Sequence, residues 1–112
     1  MSTAVSQRIS VISSSTQLTH DEIGEIVDAS GRSVSRWSTG AAEPQRISRQ
    51  RLLELAYVAE ELQSVLKAED ANLWIHSPNR LLDGDTPAQR IQVGDFRSVV
   101  GLIEALADGI VV

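Results

Sequence analysis

Two histidines, His20 and His76, are the side chains here best suited to moving a proton or holding a metal, and they lie in separate segments of the 112-residue chain. A lone imidazole is more often structural or solvated than a ligand, and neither has companions at metal-ligand spacing. The chain has no cysteine, which removes thiolate nucleophiles, disulfides and thiolate-bound metal. Asp83 and Asp85 flank Gly84 as a cation loop would, but no EF-hand spacing follows, and turn chemistry explains them better. Hydroxyl side chains are plentiful, yet no Ser/His/Asp set is suggested by spacing, and no Gly-x-x-x-x-Gly-Lys phosphate loop occurs. The expectation is a protein that is not an enzyme and carries no metal or cofactor.

Binding chemistry is better represented. Between positions 32 and 51 stand five arginines (Arg32, Arg36, Arg46, Arg49, Arg51) against one acid, Glu43. Residues 1–67 carry seven basic and eight acidic side chains, whereas residues 68–112 carry three and seven. A basic segment therefore sits in the first half of a chain whose net charge is −5, and the second half is acidic. A second unusual stretch runs from Trp74 to Ile91. It packs Pro78, Gly84, Pro87 and Trp74 into a short span, which describes a shaped surface better than a linker.

At this length the chain forms one small domain or two subdomains sharing a core. Apolar residues make up 42% of it but aromatics only 4%, so the core must be mostly aliphatic. There is no 18-residue apolar run to span a membrane, and the polar, serine-rich start lacks the pattern of a secretion signal. A cytoplasmic protein is expected.

The elements that must position these residues read as helices throughout. Val5, Arg8, Ile9 and Ile12 hint at a short amphipathic helix, with Ser13-Ser14-Ser15 as its break. Thr19-His20-Asp21-Glu22 is a capping box opening a helix with Ile23, Ile26 and Val27 on one face, ending near Asp28. Ser30 can cap a second short helix through Val34 and Trp37, stopped by Gly40. The longest helix should run from about Arg46 to Lys67, since Leu52, Leu55, Ala59, Leu62 and Leu66 recur at 3-4-3-4 spacing. A helix over about 68–75 follows, then the Ser77-Pro78-Asn79 turn. Thr86-Pro87-Ala88-Gln89 is a second capping box with proline at the first helical position. Asp95 can cap the last helix, whose face is Phe96, Val99, Val100, Ile103, Leu106 and Ala107. No alternating strand pattern appears, so the fold class is all-α. The organisation expected is a helix-turn-helix domain over residues 1–45, a connecting spine helix over 46–67 and a partner-binding domain over 68–112.

Leu18-Thr19, Glu22-Ile23, Ser30, Val34-Ser35-Arg36-Trp37, Gly40 and Pro44 together resemble the helix-turn-helix of Xre/Cro-type regulators. That resemblance implies a second helix lying in the major groove of operator DNA, with Arg32, Ser33, Ser35 and Arg36 toward bases and phosphates. Asp28 stands where that pattern has a turn glycine, His20 where it has glutamine, and Gly31 at an early reading position. Arg36 also has a plain structural reading, with its stem lying over the core beside Trp37.

Trp74, Pro78-Asn79, Leu82-Asp83-Gly84-Asp85-Thr86-Pro87 and the apolar face of the last helix resemble the C-terminal toxin-binding domain of the antitoxins named Xre/MbcA/ParS. The resemblance implies a partner, a RES-domain toxin that degrades NAD, neutralised by an antitoxin end seated in its active-site cleft. It also implies a homodimer or a hetero-oligomer with the toxin, and repression of the antitoxin's own operon. The residues expected to touch the toxin are Trp74, Asn79, Arg80, Asp108, Gly109, Ile110, Val111 and Val112. Asp108-Gly109 should stop the last helix and leave three apolar residues that suit a concave pocket. Two alternatives stand beside this. The tail packs back on its own core or frays, or the chain is a stand-alone helix-turn-helix regulator whose second half only dimerises. Trp74, Pro78, Leu82, Gly84 and Pro87 read equally well as an internal frame.

Overall fold

The computed structural model describes residues 3–109, which form seven α-helices and one 3-10 turn, with no strand among them. The all-α expectation holds. The helices are α1 (Ala4–Thr16), α2 (His20–Val27), α3 (Gly31–Ser38), α4 (Arg46–Gln63), α5 (Ala68–Ile75), α6 (Pro87–Gln92) and α7 (Phe96–Ala107), with the 3-10 turn over Arg80–Leu82 between α5 and α6.

α1 opens on a capping box of Thr3 and Ser6, whose backbone and side-chain groups exchange bonds of 2.8 and 3.0 Å. It does not break at Ser13. Serine disfavours a helix because its hydroxyl competes for backbone groups, but here the hydroxyls are accommodated. Ser14 Oγ bonds back to the Val11 carbonyl, Thr16 Oγ1 to that of Ile12, and buried Ser15 donates to Gln63 Oε1 at 2.8 Å across the core. The helix instead ends at Gln17, which turns left-handed with φ 58°.

α4 is the central element. Its most extensive packing is against α1, and it also meets α2, α5, α6 and α7. It stops at Gln63, four residues short of the expected Lys67. Ser64 Oγ caps the Glu61 carbonyl at 2.8 Å, the Leu66 amide closes on Leu62, and Lys67 goes extended to become the N-cap of α5. Leu52, Leu55, Val58, Ala59 and Leu62 are fully buried. They join Ile9, Ile12, Ile23, Val27 and Val34 from the first half and Ile75, Ile91, Val99 and Ile103 from the second in one continuous core. Each fully buried aliphatic side chain contributes about 1.5–3 kcal/mol.

Candidate partner-binding surfaces

The first surface lies on α3. Thr19 caps α2 in a reciprocal box with Glu22, and the helix ends at Asp28 with φ 63° and ψ 54°. Asp28 therefore takes the left-handed conformation that a turn glycine would have supplied, as a short polar side chain can. The glycines of this region serve close approach instead. A Cβ on Gly24 would lie 2.5 Å from the Ala29 carbonyl oxygen, and one on Gly31 would run into the Asp21 carboxylate. Gly31, expected only as a position without a reading side chain, is what lets α3 start against α2.

That packing aims α3 outward. Arg32 and Arg36 are exposed, one turn apart, and make no ion pair among the described residues. Ser33 and Ser35 are less free. Ser33 gives its amide to the Ser30 cap and takes the Ser30 hydroxyl at 3.0 Å, and Ser35 Oγ meets His20 Nδ1 at 2.7 Å. His20 thus holds α2 to α3. Arg49 and Arg51 of the basic segment pair with Glu43 and Glu54.

The second surface is built by the stretch from Trp74 to Asp95. Asn79 closes a compact loop. Its side chain accepts from the Leu81 amide at 2.9 Å, its carbonyl accepts from Leu82 and Gly84, and its amide donates to the Asp85 carbonyl. Thr86 and Gln89 exchange both capping-box bonds at the start of α6, with Pro87 buried at the first turn.

A residue not singled out in the sequence holds these pieces together. Arg90 donates from Nε to Asp85 at 2.9 Å, from Nη1 to Asp95 at 2.9 Å and from Nη2 to the Leu82 carbonyl at 2.7 Å. One planar guanidinium thereby ties the loop, α6 and the start of α7 together, as its fixed fork of donors allows. The hydrogen bonds to Asp85 and then Asp95 push the Arg90 pKa upward. The Ser98 hydroxyl, donating at 2.8 Å, and then Arg90 hold the Asp95 carboxyl below its usual range. Asp95 sits at the N-cap of α7 without a side-chain cap bond. Asp83, 98% exposed and 3.7 Å from Arg90, adds little.

The frame presents Arg80 and Leu81, both exposed, at the tip of the 3-10 turn. Leu73 at 67% and Val93 at 73% exposure are further outward apolar groups in this half. Trp74 is half-buried against the core, with its Nε1–H buried and without an acceptor among the described residues. His76 closes the C-terminus of α5 and reaches α2, with Nδ1 2.9 Å from the Asn72 carbonyl and Nε2 3.1 Å from Glu22. Asp108 and Gly109 end α7, both exposed, with Gly109 at φ 84°. Ile110, Val111 and Val112 lie outside the described residues.

Residues 61–109, from the end of α4 through α7, match the antitoxin Xre/MbcA/ParS C-terminal toxin-binding domain. The chain belongs to this family of antitoxins. It is 52% identical over 95 residues to the mycobacterial cidal antitoxin MbcA of Mycobacterium tuberculosis (strain ATCC 25618 / H37Rv), a match spanning 85% of this chain and 84% of that protein. The MbcA of Mycobacterium bovis (strain ATCC BAA-935 / AF2122/97) matches to the same extent. A chain in the crystal structure of the M. tuberculosis MbcT–MbcA toxin–antitoxin complex matches with a TM-score of 0.88 and 45% identity, covering 98% of this chain and 99% of that one. No helix among the described residues is long and apolar enough to cross a membrane.

Proposed function

We propose that this chain is the antitoxin of a toxin–antitoxin pair and that it neutralises a RES-domain, NAD-degrading toxin by seating its C-terminal end in the toxin's active-site cleft. The observation that carries the reading is the match along nearly the whole chain to an antitoxin crystallised with its toxin. Arg80, Asn79, Trp74 and the end from Asp108 to Val112 are the proposed contacts. Arg80 and Leu81 project from a braced turn, so little ordering entropy remains to be lost when a partner closes over them. Asn79 also shapes that turn through its bonds with Leu81, Leu82, Gly84 and Asp85. Acidic side chains around the site suit a toxin cleft built to hold the phosphates of NAD. On this reading residues 68–112 form the toxin-binding part, α4 the spine and residues 1–45 the part that meets DNA.

The test is direct. The purified chain is mixed with the RES-domain protein proposed as its partner, and NAD is followed over time. Stoichiometric antitoxin should stop NAD loss, and undiminished loss with a folded antitoxin refutes the reading.

DNA binding for autorepression is the second part of the proposal, favoured by Arg32 and Arg36, exposed on one face of α3 and without an ion pair among the described residues. Ser33 and Ser35, tied to Ser30 and His20, would contribute as hydrogen-bond donors to phosphate rather than as base readers.

A further inference from the structure

α7 carries the end of the chain, and its direction is set where it leaves α6. Only Val93, Gly94 and Asp95 separate the two helices. The Gly94 amide donates to the Ile91 carbonyl at 3.0 Å, and the Asp95 amide to the Arg90 carbonyl at 2.7 Å. These two bonds, with Gly94 left-handed at φ 91°, close α6 in a Schellman motif. Arg90 and Ser98 hold the Asp95 carboxylate from within the second half.

The other side of this joint is held from α4. A Cβ on Gly94 would lie 2.8 Å from Arg51 Nη2 and 3.2 Å from Arg51 Cζ, so the guanidinium fills the space of the missing side chain. Arg51 is anchored in turn by Glu54, with Nη1 3.3 Å from Oε1. Gln50 Nε2 donates to the other oxygen of that carboxylate at 3.0 Å. Glu54 is buried, and a buried carboxylate needs such partners to remain charged. The guanidinium is therefore fixed from behind by the spine helix and in front by the joint.

Packing alone leaves α7 one direction in which to tilt. Val99, Leu102 and Ile103 bury one of its faces. On the side toward α4 a groove of about 510 Å³ separates the helices, lined by Leu53, Tyr57, Phe96 and Val100. A helix of 12 residues is about 18 Å long, so a tilt of about 10° at its start moves its end by about 3 Å. An error of that size matters for an end that must enter a cleft.

We propose that Arg51 is a positioning residue for toxin inhibition. Its guanidinium, seated against Gly94 and anchored by Glu54, sets the direction in which α7 presents Asp108, Gly109 and the end of the chain. The proposal rests on the reading that this end blocks the toxin. It assigns Arg51 to the inhibitory arm, although in the sequence it stands in the basic segment.

A distance measurement paired with an inhibition assay tests it. The chain has no cysteine, so Glu60→Cys on α4 and Ala107→Cys on α7, both exposed, take spin labels at those two sites alone. The labelled parent should give one narrow distance distribution by pulsed electron spin resonance. Arg51→Met combined with Glu54→Gln, which leaves no unpaired charge behind, should broaden it or shift it by about 3 Å while helical circular dichroism holds. Arg51→Lys, which leaves Glu54 an ion partner and so guards against misfolding, should act in the same direction. In unlabelled variants the antitoxin concentration that halves NAD loss should rise roughly tenfold, while toxin affinity stays within about threefold of wild type. A purely structural role would lower the melting temperature and leave binding and inhibition coupled. Folded variants that keep the parent distance, or that inhibit as well as the wild type, overturn the proposal and leave the toxin reading standing. A wild type that does not stop NAD loss overturns both.

Discussion

The α2–α3 turn and the 79–95 frame are both tight structures that hold arginines, and they are held by opposite means. The turn depends on missing side chains. Gly24 and Gly31 let backbone and Asp21 come within distances that a Cβ would not permit, and Arg32 and Arg36 are left free at the surface. The frame depends on a side chain that is present, Arg90, whose three hydrogen bonds tie its own helix α6 to the 79–85 loop and the start of α7. The first should therefore be sensitive to a single methyl group. The second should tolerate steric change and respond to charge. Between them lies α4, whose buried face belongs to both.

That shared face gives the largest expected effect. Leu55 is fully buried at the middle of α4, and Leu55→Ala should cost about 3 kcal/mol. Both regions should lose protection together in hydrogen exchange. Separate unfolding of the two would break the link between them. Gly24→Ala comes next, with an expected loss of about 2 kcal/mol from the clash with Ala29, read from denaturant midpoints, and no change in how the 79–85 loop exchanges its amides. Arg90→Met should do the reverse. The amides of Leu81, Leu82 and Gly84 should exchange faster while helix content holds, and toxin affinity should fall roughly tenfold as the turn loses its preorganisation. An Arg90→Met chain that keeps both protection and affinity would show that the capping boxes suffice without the guanidinium.

The exposed arginines give a smaller, salt-dependent effect. Replacing Arg32 and Arg36 with Ala should lower the slope of log K against log salt for promoter DNA by about one unit for each lost phosphate contact. Toxin inhibition should be unchanged. The smallest effect concerns acid. The carboxyl of Asp95 is held below its ordinary value of 3.8, so it contributes stability above that value. That contribution disappears as pH falls through the lowered folded-state value. Asp95→Asn should lower thermal stability in the neutral range and converge with the wild type in acid, flattening the acid limb, and an unchanged acid limb would remove Asp95 from the frame's charge dependence.

What the sequence made legible follows the same division. The caps at Thr19, Ser30 and Thr86 were readable because each is a bond between residues three apart. The register of α4 was readable because a buried stripe repeats at helical spacing. The continuation of α1 through Ser13–Ser15 was not, since Ser15 is buried against Gln63, a partner 48 positions away. The early end of α4 was hidden because Ser64, Val65 and Leu66 fit a helix by composition and are diverted by a local turn. Arg90 went unnoticed because only the folded chain gathers Leu82, Asp85 and Asp95 around it. Asp28 stood in for the turn glycine because the surrounding contacts over-determine the left-handed conformation there. Of the candidate contacts, Arg80 was named through the resemblance alone, and it stands exposed in the turn. Leu81 beside it was not, since a leucine next to buried Leu82 gives no sign of which one faces out.

The central claim is that the frame binds the toxin and the end of the chain blocks it. Deleting Gly109–Val112 and measuring toxin binding and NAD loss side by side separates the two. The account predicts a folded protein that still binds the toxin but no longer prevents NAD loss. Full inhibition by the shortened chain would contradict it.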